Sequence, residues 1–334
     1  MDRDKITLMA KCPPPRPLLD SIVDTIGLTP MVELHRLAKA KGRIGRLLIK
    51  LENFNPGSSK KDRIALEMIR LAKKSGDLRD GQTVVELTSG NAGTGFAIVC
   101  QALGHPFVAV MSRGNTAERA KMMRALGAEV VLIDQAPGSP ANQVSGQDLA
   151  LVEQHAQELV RHRQAFRCDQ FKLESNVLAH QRHTGPEIWQ QSHGQVDVFL
   201  DFVGTGGTFS GVMRHLKQKN PHVRGYVVEP AAVAVLAGRP VSSASHKIQG
   251  GGYNMADLPH LDRGLVTDYV AVSDDEAIEA ARQLASLEGI FAGYSTGAHV
   301  AAALQLLAGR EQGAVIAFLA CDSGMKYFST DLYV

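Results

Sequence analysis

The sequence has 334 residues, of which 44% are hydrophobic, and its 36 basic and 34 acidic side chains leave a net charge of +2. This composition is typical of a globular protein with one large domain or two domains of ordinary size. A nearly balanced charge argues against a broad nucleic-acid-binding surface, and no uncharged apolar run is long enough to cross a membrane. We therefore expect neither nucleic acid nor a membrane as a partner.

The cysteines and histidines predict neither a disulfide framework nor a metal site. The four cysteines lack C-x-x-C spacing, and the twelve histidines share no metal-ligand spacing. Residues 1–5 are too charged for a secretory signal, and residues 1–18 are predicted to form an extended arm. We therefore expect a protein of the reducing cytoplasm, with Cys100 and Cys321 as inert core thiols.

In the first half of the chain, short apolar runs alternate with longer segments of helical periodicity. The predicted strands are residues 46–51, 83–87, 107–111 and 129–133. The predicted helices are residues 64–74, 93–103, 117–126 and, after a loop at 135–144, 147–163.

A second series of apolar runs follows, with strands predicted at 196–203, 224–229 and 314–320. Strands that alternate with helices indicate βαβ units and mostly parallel sheets. We therefore expect an α/β protein of two domains, with a ligand in the cleft between them.

Residues 55–63 (NPGSSKKDR) place two lysines after a glycine- and serine-containing turn at a predicted helix start. A lysine amine can form a Schiff base with an aldehyde cofactor when its site is shaped for that reaction. On its own, the segment fits a solvated helix terminus equally well.

Three further turns could bind anions or cap helices. Residues 88–93 (TSGNAG) follow a strand and open a helix, which suits a carboxylate, although Ser89 or Asn91 could simply cap that helix. Residues 204–208 (GTGGT) suit a phosphate. Residues 293–297 (GYSTG) place Ser295 before an apolar helix, where it could also be only a cap.

The glycine turn at 204–208 has a rival interpretation as a dinucleotide-binding loop. Glu229, at the end of the next strand, is about the right distance away to bind a ribose. The usual glycine pattern would however require glycine at Phe209.

Taken in this order, the four segments resemble the cysteine synthase and cystathionine β-synthase family, which uses pyridoxal 5'-phosphate and has fold type II. Smaller matches extend the resemblance from about residue 20 to residue 330. It implies two three-layer α/β domains with the cofactor in the interdomain cleft. The expected smaller domain comprises residues 1–32 and 55–165 and is mobile; the larger comprises residues 33–54 and 166–334.

The resemblance also implies roles for individual residues. Lys61, which stands immediately before Asp-Arg, is the expected Schiff-base lysine and general base, whereas Lys60 occupies a position that is often apolar. Asn91 is expected at the ring hydroxyl and Ser295 at the ring nitrogen. The expected phosphate cup is Gly204, Thr205, Gly206, Gly207 and Thr208. The expected substrate contacts are Thr88, Ser89, Gly90, Asn91, Ala92 and Gln170.

The implied reaction is β-replacement on an O-activated L-serine through an α-aminoacrylate intermediate, with sulfide or an amine as acceptor. Ala92 stands where threonine is usual, and residues 112–119 and 249–254 also differ from the common form, so the substrate stays open. One alternative is β-elimination to a keto acid and ammonia. A remote alternative is a nicotinamide-dependent oxidoreductase built around residues 197–229. Relatives are commonly homodimers, and we expect the same here.

Overall fold

The computed structural model describes residues 18–115, 117–139, 144, 146–243 and 246–334. Nearly all of the predicted N-terminal arm, including Cys12, therefore lies outside the described residues. The predicted loop at 135–144 carries neither helix nor strand at its described positions. Among the described residues, none of the helices combines the length and the apolar character that a bilayer-spanning helix needs.

Two separate sheets organise the chain. The smaller has four parallel strands in the order β5-β4-β3-β6, and the larger has six in the order β1-β2-β10-β7-β8-β9. All pairs in the larger sheet are parallel except β1 with β2. The strands are β1 Met31–Glu33, β2 Arg46–Leu51, β3 Val84–Leu87, β4 Phe107–Ser112, β5 Glu129–Ile133, β6 Phe166–Arg167, β7 Val198–Phe202, β8 Arg224–Pro230, β9 Asp268–Val272 and β10 Val315–Ala320.

Helices connect the strands. They are α1 His35–Ala40, α2 Lys61–Ser75, α3 Asn91–Ala102, α4 Ala117–Ala125, α5 Gly146–Arg163, α6 Ser175–Ala179, α7 Gly185–Gln191, α8 Gly207–Lys219, α9 Asp274–Glu288 and α10 Tyr294–Ala308. A π-helical turn, His180–Thr184, joins α6 to α7.

The α/β fold predicted from the sequence is confirmed, and each predicted strand and helix ends within a few residues of its observed counterpart. The expected domain boundaries stay a prediction, and strand pairing crosses them at two edges. Strand β1 begins at Met31 but pairs in the larger sheet, and β6, at Phe166–Arg167, pairs in the smaller one. Both strands have three residues or fewer, which is too short for a periodic signal.

Strand β2 is buried on both faces, and this positions the site. Leu47 and Ile49 pack into one apolar core of the larger sheet, and Leu48 packs into another. Parallel strands covered on both faces are near-continuous apolar runs, and β2 follows that rule. The short helix Glu52–Phe54 therefore begins at a fixed strand end. The turn after it leads into α2.

Candidate active site

The first turn of α2 is fastened to the segment that follows β10. Ser59 forms an isolated bridge with Asp322, and the backbone N–H of Lys60 donates to the Cys321 carbonyl at 2.9 Å. The backbone N–H of Lys61 donates to the Ser59 hydroxyl at 3.2 Å. The two lysines therefore start a helix whose entry is held by the larger sheet.

Lys61 faces the cleft. Its Nζ lies 3.2 Å from Oε1 of Gln170, so the structure brings together the predicted Schiff-base lysine and a predicted substrate contact. Burial, and secondarily the ammonium of Lys60, lower the pKa of Lys61 to about 8. A lysine with such a pKa is partly neutral near physiological pH, which both a nucleophile and a general base require.

Lys60 does not point to solvent. Its Nζ lies 2.8 Å from Oδ1 of Asp201 on β7, and 12% of the Lys60 side chain is exposed. Burial acts to lower the pKa of Lys60, but Asp201 and Cys321 together act in the opposite direction, and the net pKa is raised. Lys60 therefore contributes a fixed positive charge beside Lys61.

The glycine turn at 204–208 packs so closely that side chains do not fit. A Cβ at Gly204 would lie 2.5 Å from the Gly250 carbonyl oxygen, and one at Gly206 would lie 2.7 Å from the backbone nitrogen of Leu261. Gly206 also has φ +85°, a conformation that glycine adopts without strain. Because α8 begins at Gly207, its N-terminal N–H groups and partial positive charge face this turn.

The two threonines of this turn contact Asn176 and His180, neither of which was predicted from the sequence as a site residue. Asn176 Nδ2 donates to Thr205 Oγ1 at 2.9 Å, and Nε2 of His180 lies 3.2 Å from Thr208 Oγ1. Burial, followed by the charges of nearby cations, lowers the pKa of His180 to about 3, so this imidazole is neutral. The turn is thus a preformed anion cradle.

The turn at residues 88–92 is less constrained. A Cβ added at Gly90 would meet no atom of the described residues within 4 Å, although Thr88 and Ala92 are each only 5% exposed. Gly90 precedes the first residue of α3, so the N–H groups of that helix terminus point out of the turn. This geometry suits a carboxylate, and the substrate role of the turn stays a prediction.

Asn91 takes part in a network that the sequence did not reveal. Its Nδ2 donates to Oδ2 of Asp322 at 2.7 Å, and its Oδ1 accepts from Nζ of Lys326 at 2.6 Å. Lys326 Nζ also donates to the Gly57 carbonyl at 2.7 Å. Burial lowers the pKa of Lys326. Residues 322–330 carried part of the family resemblance, but nothing in their spacing indicated these contacts.

Glu86 is a further site residue that the sequence analysis missed. It lies on β3, is 1% exposed, and has its Oε1 3.5 Å from Nε2 of Gln170. Burial raises the pKa of Glu86 to about 8, although the guanidinium of Arg167 acts in the opposite direction. Within the described part of the chain, Oε2 of Glu86 has no hydrogen-bond partner and lies 3.5 Å from Arg167 Nε. An acidic residue inside an apolar strand was the signal that could have identified it.

Asp201, His299 and Cys321 form a buried group whose potential metal-ligand atoms lie within 4.8 Å of one another. The Asp201 carboxylate is already paired with Lys60. The ring nitrogens of His299 lie 2.8 Å from a backbone carbonyl oxygen and 2.6 Å from the backbone nitrogen of Phe202. Cys321, expected as an inert core thiol, is buried but lines the pocket.

One pocket is lined by all of the predicted cofactor residues except Gly207 and encloses about 470 Å³ of atom-free space, including its open mouth. Its lining residues include Lys61, Asn91, Gly204, Thr205, Gly206, Thr208 and Ser295. Ser295 is 7% exposed at the start of α10. An aldehyde cofactor with a phosphate would therefore meet an amine and a glycine cradle in the same cavity.

Comparison with known proteins agrees with this fit. Residues 22–322 match the family model described as "Pyridoxal-phosphate dependent enzyme", and the chain belongs to that family. The prediction of pyridoxal phosphate as cofactor is thereby confirmed.

Individual relatives are similar over most of their length. The chain is 40% identical to cysteine synthase 3 of Caenorhabditis elegans over 93% of this chain and 88% of the relative. It is 39% identical to the O-ureido-L-serine synthase of Streptomyces lavendulae over 95% of this chain and 93% of that protein. The crystal structure of O-acetyl serine sulfhydrylase isoform 3 from Entamoeba histolytica superimposes with a TM-score of 0.88 at 34% identity, covering 96% of this chain and 93% of that one.

The remote oxidoreductase alternative finds no support at Glu229. Both of its carboxylate oxygens accept backbone N–H groups, from Leu236 at 2.8 Å and from Ala237 at 2.9 Å. The carboxylate is therefore occupied by hydrogen bonds to the loop that contains Leu236 and Ala237. The match to the pyridoxal-phosphate-dependent family spans residues 22–322 and so includes the glycine turn at 204–208.

Proposed function

We propose that the chain catalyses β-replacement on an O-activated L-serine, with Lys61 as the residue that binds the cofactor and moves the α-proton. The observation that carries the proposal is the meeting of Lys61 and the glycine cradle in one pocket. The relatives named cysteine synthase and O-ureido-L-serine synthase support the reaction class. Pyridoxal phosphate, when bound, supplies the electron sink that stabilises negative charge at the substrate α-carbon.

In this proposal, residues at one end of the pocket bind the cofactor and residues at the other end bind the substrate. The backbone around Gly206 and Gly207 would hold the phosphate, because no side chain intervenes and a helix N-terminus faces it. Ser295 would face the ring nitrogen with an uncharged hydroxyl. Asn91, fixed by Asp322 and Lys326, would present an amide to the ring hydroxyl.

The substrate end combines an open turn with a tuned base. Residues 88–92 would bind the α-carboxylate through backbone N–H groups and hydroxyls. Gln170, which already contacts the Lys61 amine, would keep that amine directed at the substrate. Lys61, with a pKa of about 8, can accept the α-proton near neutral pH and return it later.

Closure of the cleft would keep water from the reacting carbon. Arg119 of α4 donates from Nη2 to Oε1 of Gln249, which lines the pocket. Such a contact joins an element beside the smaller sheet to a loop beside the larger one. Excluding water favours transfer to the added acceptor over hydrolysis.

Product analysis tests the proposal. The purified chain, loaded with pyridoxal phosphate, is incubated with O-acetyl-L-serine alone, with sulfide, or with a primary amine, and the products are identified by mass spectrometry. A product that carries the acceptor on the β-carbon is the expected result. Keto acid and ammonia, formed equally with and without acceptor, would instead establish β-elimination. Lys61→Ala is the control and should give neither.

We further propose that the protein acts in the cytoplasm as a homodimer. The cysteine spacing and the family resemblance support this proposal. Size-exclusion chromatography with light scattering tests it, and a mass near the 35.9 kDa of one chain would contradict it.

A further inference from the structure

We infer that the buried Lys60–Asp201 ion pair is an electrostatic tuning element: it holds one positive charge against Lys61 and thereby keeps the Lys61 amine in its neutral, proton-accepting form. This inference rests on the proposed role of Lys61. It gives a function to Lys60, which the family pattern leaves unexplained.

The first support is the position of both lysines at the positive end of a helix. Lys61 is the first residue of α2, and Lys60 caps that helix without a side-chain hydrogen bond to it. Cations are disfavoured at a helix N-terminus because its free N–H groups carry partial positive charge. Two adjacent ammonium groups at this place repel each other as well as the helix, so one of them is expected to lose its proton more easily.

The second support is the unequal distribution of partners. Lys60 has a carboxylate at 2.8 Å, whereas Lys61 Nζ donates, among the described residues, to the neutral amide of Gln170 at 3.2 Å. Asp201 is 1% exposed, so its attraction for Lys60 is poorly screened by water. Lys60 therefore keeps its charge and Lys61 is the residue that yields its proton.

The third support is the way in which Asp201 is itself fixed. Nε2 of His299 lies 3.4 Å from the same Oδ1 that Lys60 contacts, but that nitrogen accepts the backbone N–H of Phe202 at 2.6 Å. The carboxylate therefore cannot turn to the cavity without leaving Lys60, its buried ion-pair partner. A buried ion pair is costly relative to apolar side chains, and its position in the wall of the cofactor pocket is consistent with a functional reason for keeping it.

Other charged groups also face Lys61 and must be separated from Lys60 in any test. They are Asp201 and Cys321 on the side of the larger sheet and Glu86 on the side of the smaller one. Each of these three raises the pKa of Lys61, whereas burial and Lys60 lower it. The effect of Lys60 on the pKa of Lys61 is therefore opposite in sign to the effects of Asp201, Cys321 and Glu86.

The test measures the titration of Lys61 directly, in the full-length chain freed of cofactor. Trace acetylation with acetic anhydride is followed from about pH 6 to pH 11 by mass spectrometry of the peptide that contains Lys61, because only the neutral amine reacts. The wild-type midpoint is expected near the pKa of about 8. In Lys60→Met, whose side chain has similar length and no charge, the midpoint should rise by about one pH unit or more.

Two matched variants separate charge from packing. Lys60→Arg keeps the cation and should hold the midpoint within about half a pH unit of the wild type. The double variant Lys60→Met/Asp201→Asn removes both charges, and its midpoint should lie between those of the wild type and Lys60→Met. It also keeps the inference testable if Lys60→Met leaves Asp201 unpaired and does not fold. Introducing Lys60→Met into a Glu86→Gln background should produce the same upward change, which excludes Glu86 as the cause.

Equal midpoints for the wild type and Lys60→Met, or for the wild type and the double variant, would overturn the inference. Because no substrate or cofactor is present, this outcome is distinct from a failure of the proposed reaction. In the loaded enzyme, the pH dependence of borohydride-fixed cofactor on Lys61 supplies a second readout. Its acidic limb should move to higher pH in Lys60→Met and stay in place in Lys60→Arg.

Discussion

The first turn of α2 lies between two buried clusters of charged side chains, and the two clusters differ in how their charges are paired. On one side, Arg63 donates to Glu52 at 2.6 Å and to Glu187 at 2.7 Å, and Lys50 lies 2.7 Å from Glu187. On the other side, Lys61 faces the pocket beside the Lys60–Asp201 pair. We call the first the Arg63 cluster, comprising Lys50, Glu52, Arg63 and Glu187, and the second the Lys61 cluster, comprising Lys60, Lys61, Glu86 and Asp201.

The two clusters differ in how their charges are satisfied. In the Arg63 cluster two cations meet two carboxylates, and the guanidinium holds the pKa of Glu52 at about 2 although burial acts to raise it. In the Lys61 cluster, Lys61 and Glu86 both have pKa values of about 8. Groups poised near neutral pH indicate chemistry, whereas groups held fully charged by matched partners indicate structure. Residues two positions apart in the sequence can therefore have unrelated purposes.

The substitution Arg63→Met should have the largest effect, and it tests whether the Arg63 cluster is structural. It leaves two buried carboxylates with only Lys50 to neutralise them, so we expect the free energy of unfolding to fall by about 3–5 kcal/mol. Urea denaturation at pH 7 measures the change. Arg70→Met, on the exposed part of the same helix, is the control and should change stability by less than about 1 kcal/mol. Equal losses in the two variants would show that the Arg63 cluster is not structural.

The two glycine-containing turns of the site also differ: the turn at 204–208 is closely packed, whereas the turn at 88–92 is open. Gly206→Ala places a Cβ 2.7 Å from the Leu261 backbone nitrogen at φ +85°, so the cradle must deform. We expect the dissociation constant for pyridoxal phosphate to rise about 100-fold, which corresponds to about 2.7 kcal/mol. Absorbance titration of the cofactor-free protein measures it.

Gly90→Ala is the matched control for that substitution, since its Cβ would meet nothing within 4 Å in the part of the chain that the structure describes. Cofactor affinity should change by less than about threefold. If Gly90→Ala weakened the cofactor as much as Gly206→Ala, the assignment of the two turns to different ligands would be wrong.

The raised pKa of Glu86 predicts that the free energy of unfolding depends on pH. Its pKa is about 8 in the folded protein and near 4.5 in the unfolded chain, so the folded state binds more protons between these values. The free energy of unfolding therefore loses a contribution as the pH rises from about 4.5 to about 8. Glu86→Gln removes this loss and should be as stable as the wild type at pH 5 but more stable at pH 9 by about 1–2 kcal/mol.

Thermal or urea unfolding at the two pH values checks this prediction. Glu153→Gln is the control, because Glu153 also pairs with Arg167 but is about one-third exposed. It should show no such gain at pH 9. A wild type that is more stable at pH 9 than Glu86→Gln would reverse the sign and contradict the burial argument.

The smallest effect is expected at the mouth of the cleft. Arg119→Met removes one half-buried hydrogen bond to Gln249, a loss of about 1 kcal/mol. The KM for the amino-acid donor should rise less than tenfold, with kcat little changed. Arg113→Met, an exposed neighbour paired with Asp134, is the control. A change above 100-fold in Arg119→Met would mean that Arg119 contacts the substrate itself.

Much of the fold followed from patterns that are local in the sequence. Strand β2 was predicted at residues 46–51 because a buried parallel strand is a continuous apolar run, and its observed bounds are the same. The edge strand β1 and the two-residue β6 carry no such run, and they exist because neighbouring strands offer unpaired backbone groups. Pairing of this kind depends on distant parts of the chain.

The site shows the same division. The glycine turn at 204–208 and the Lys61 segment could be recognised because their chemistry depends on adjacent residues. The Lys60–Asp201 contact joins residues 141 positions apart, and the Asn91–Asp322 contact joins residues 231 positions apart. The direction of the Lys60 side chain could not be predicted from the sequence for that reason, because only the fold brings a carboxylate to it.

The central claim is that Lys61 is the residue that carries pyridoxal phosphate, and one measurement tests it most directly. The purified chain is saturated with the cofactor, reduced with borohydride, digested and mapped by mass spectrometry. We predict a pyridoxyl phosphate adduct on Lys61 alone, absent from Lys61→Ala and retained in Lys60→Arg. An adduct on Lys60 or Lys326, or an unchanged amount of adduct in Lys61→Ala, would contradict the account.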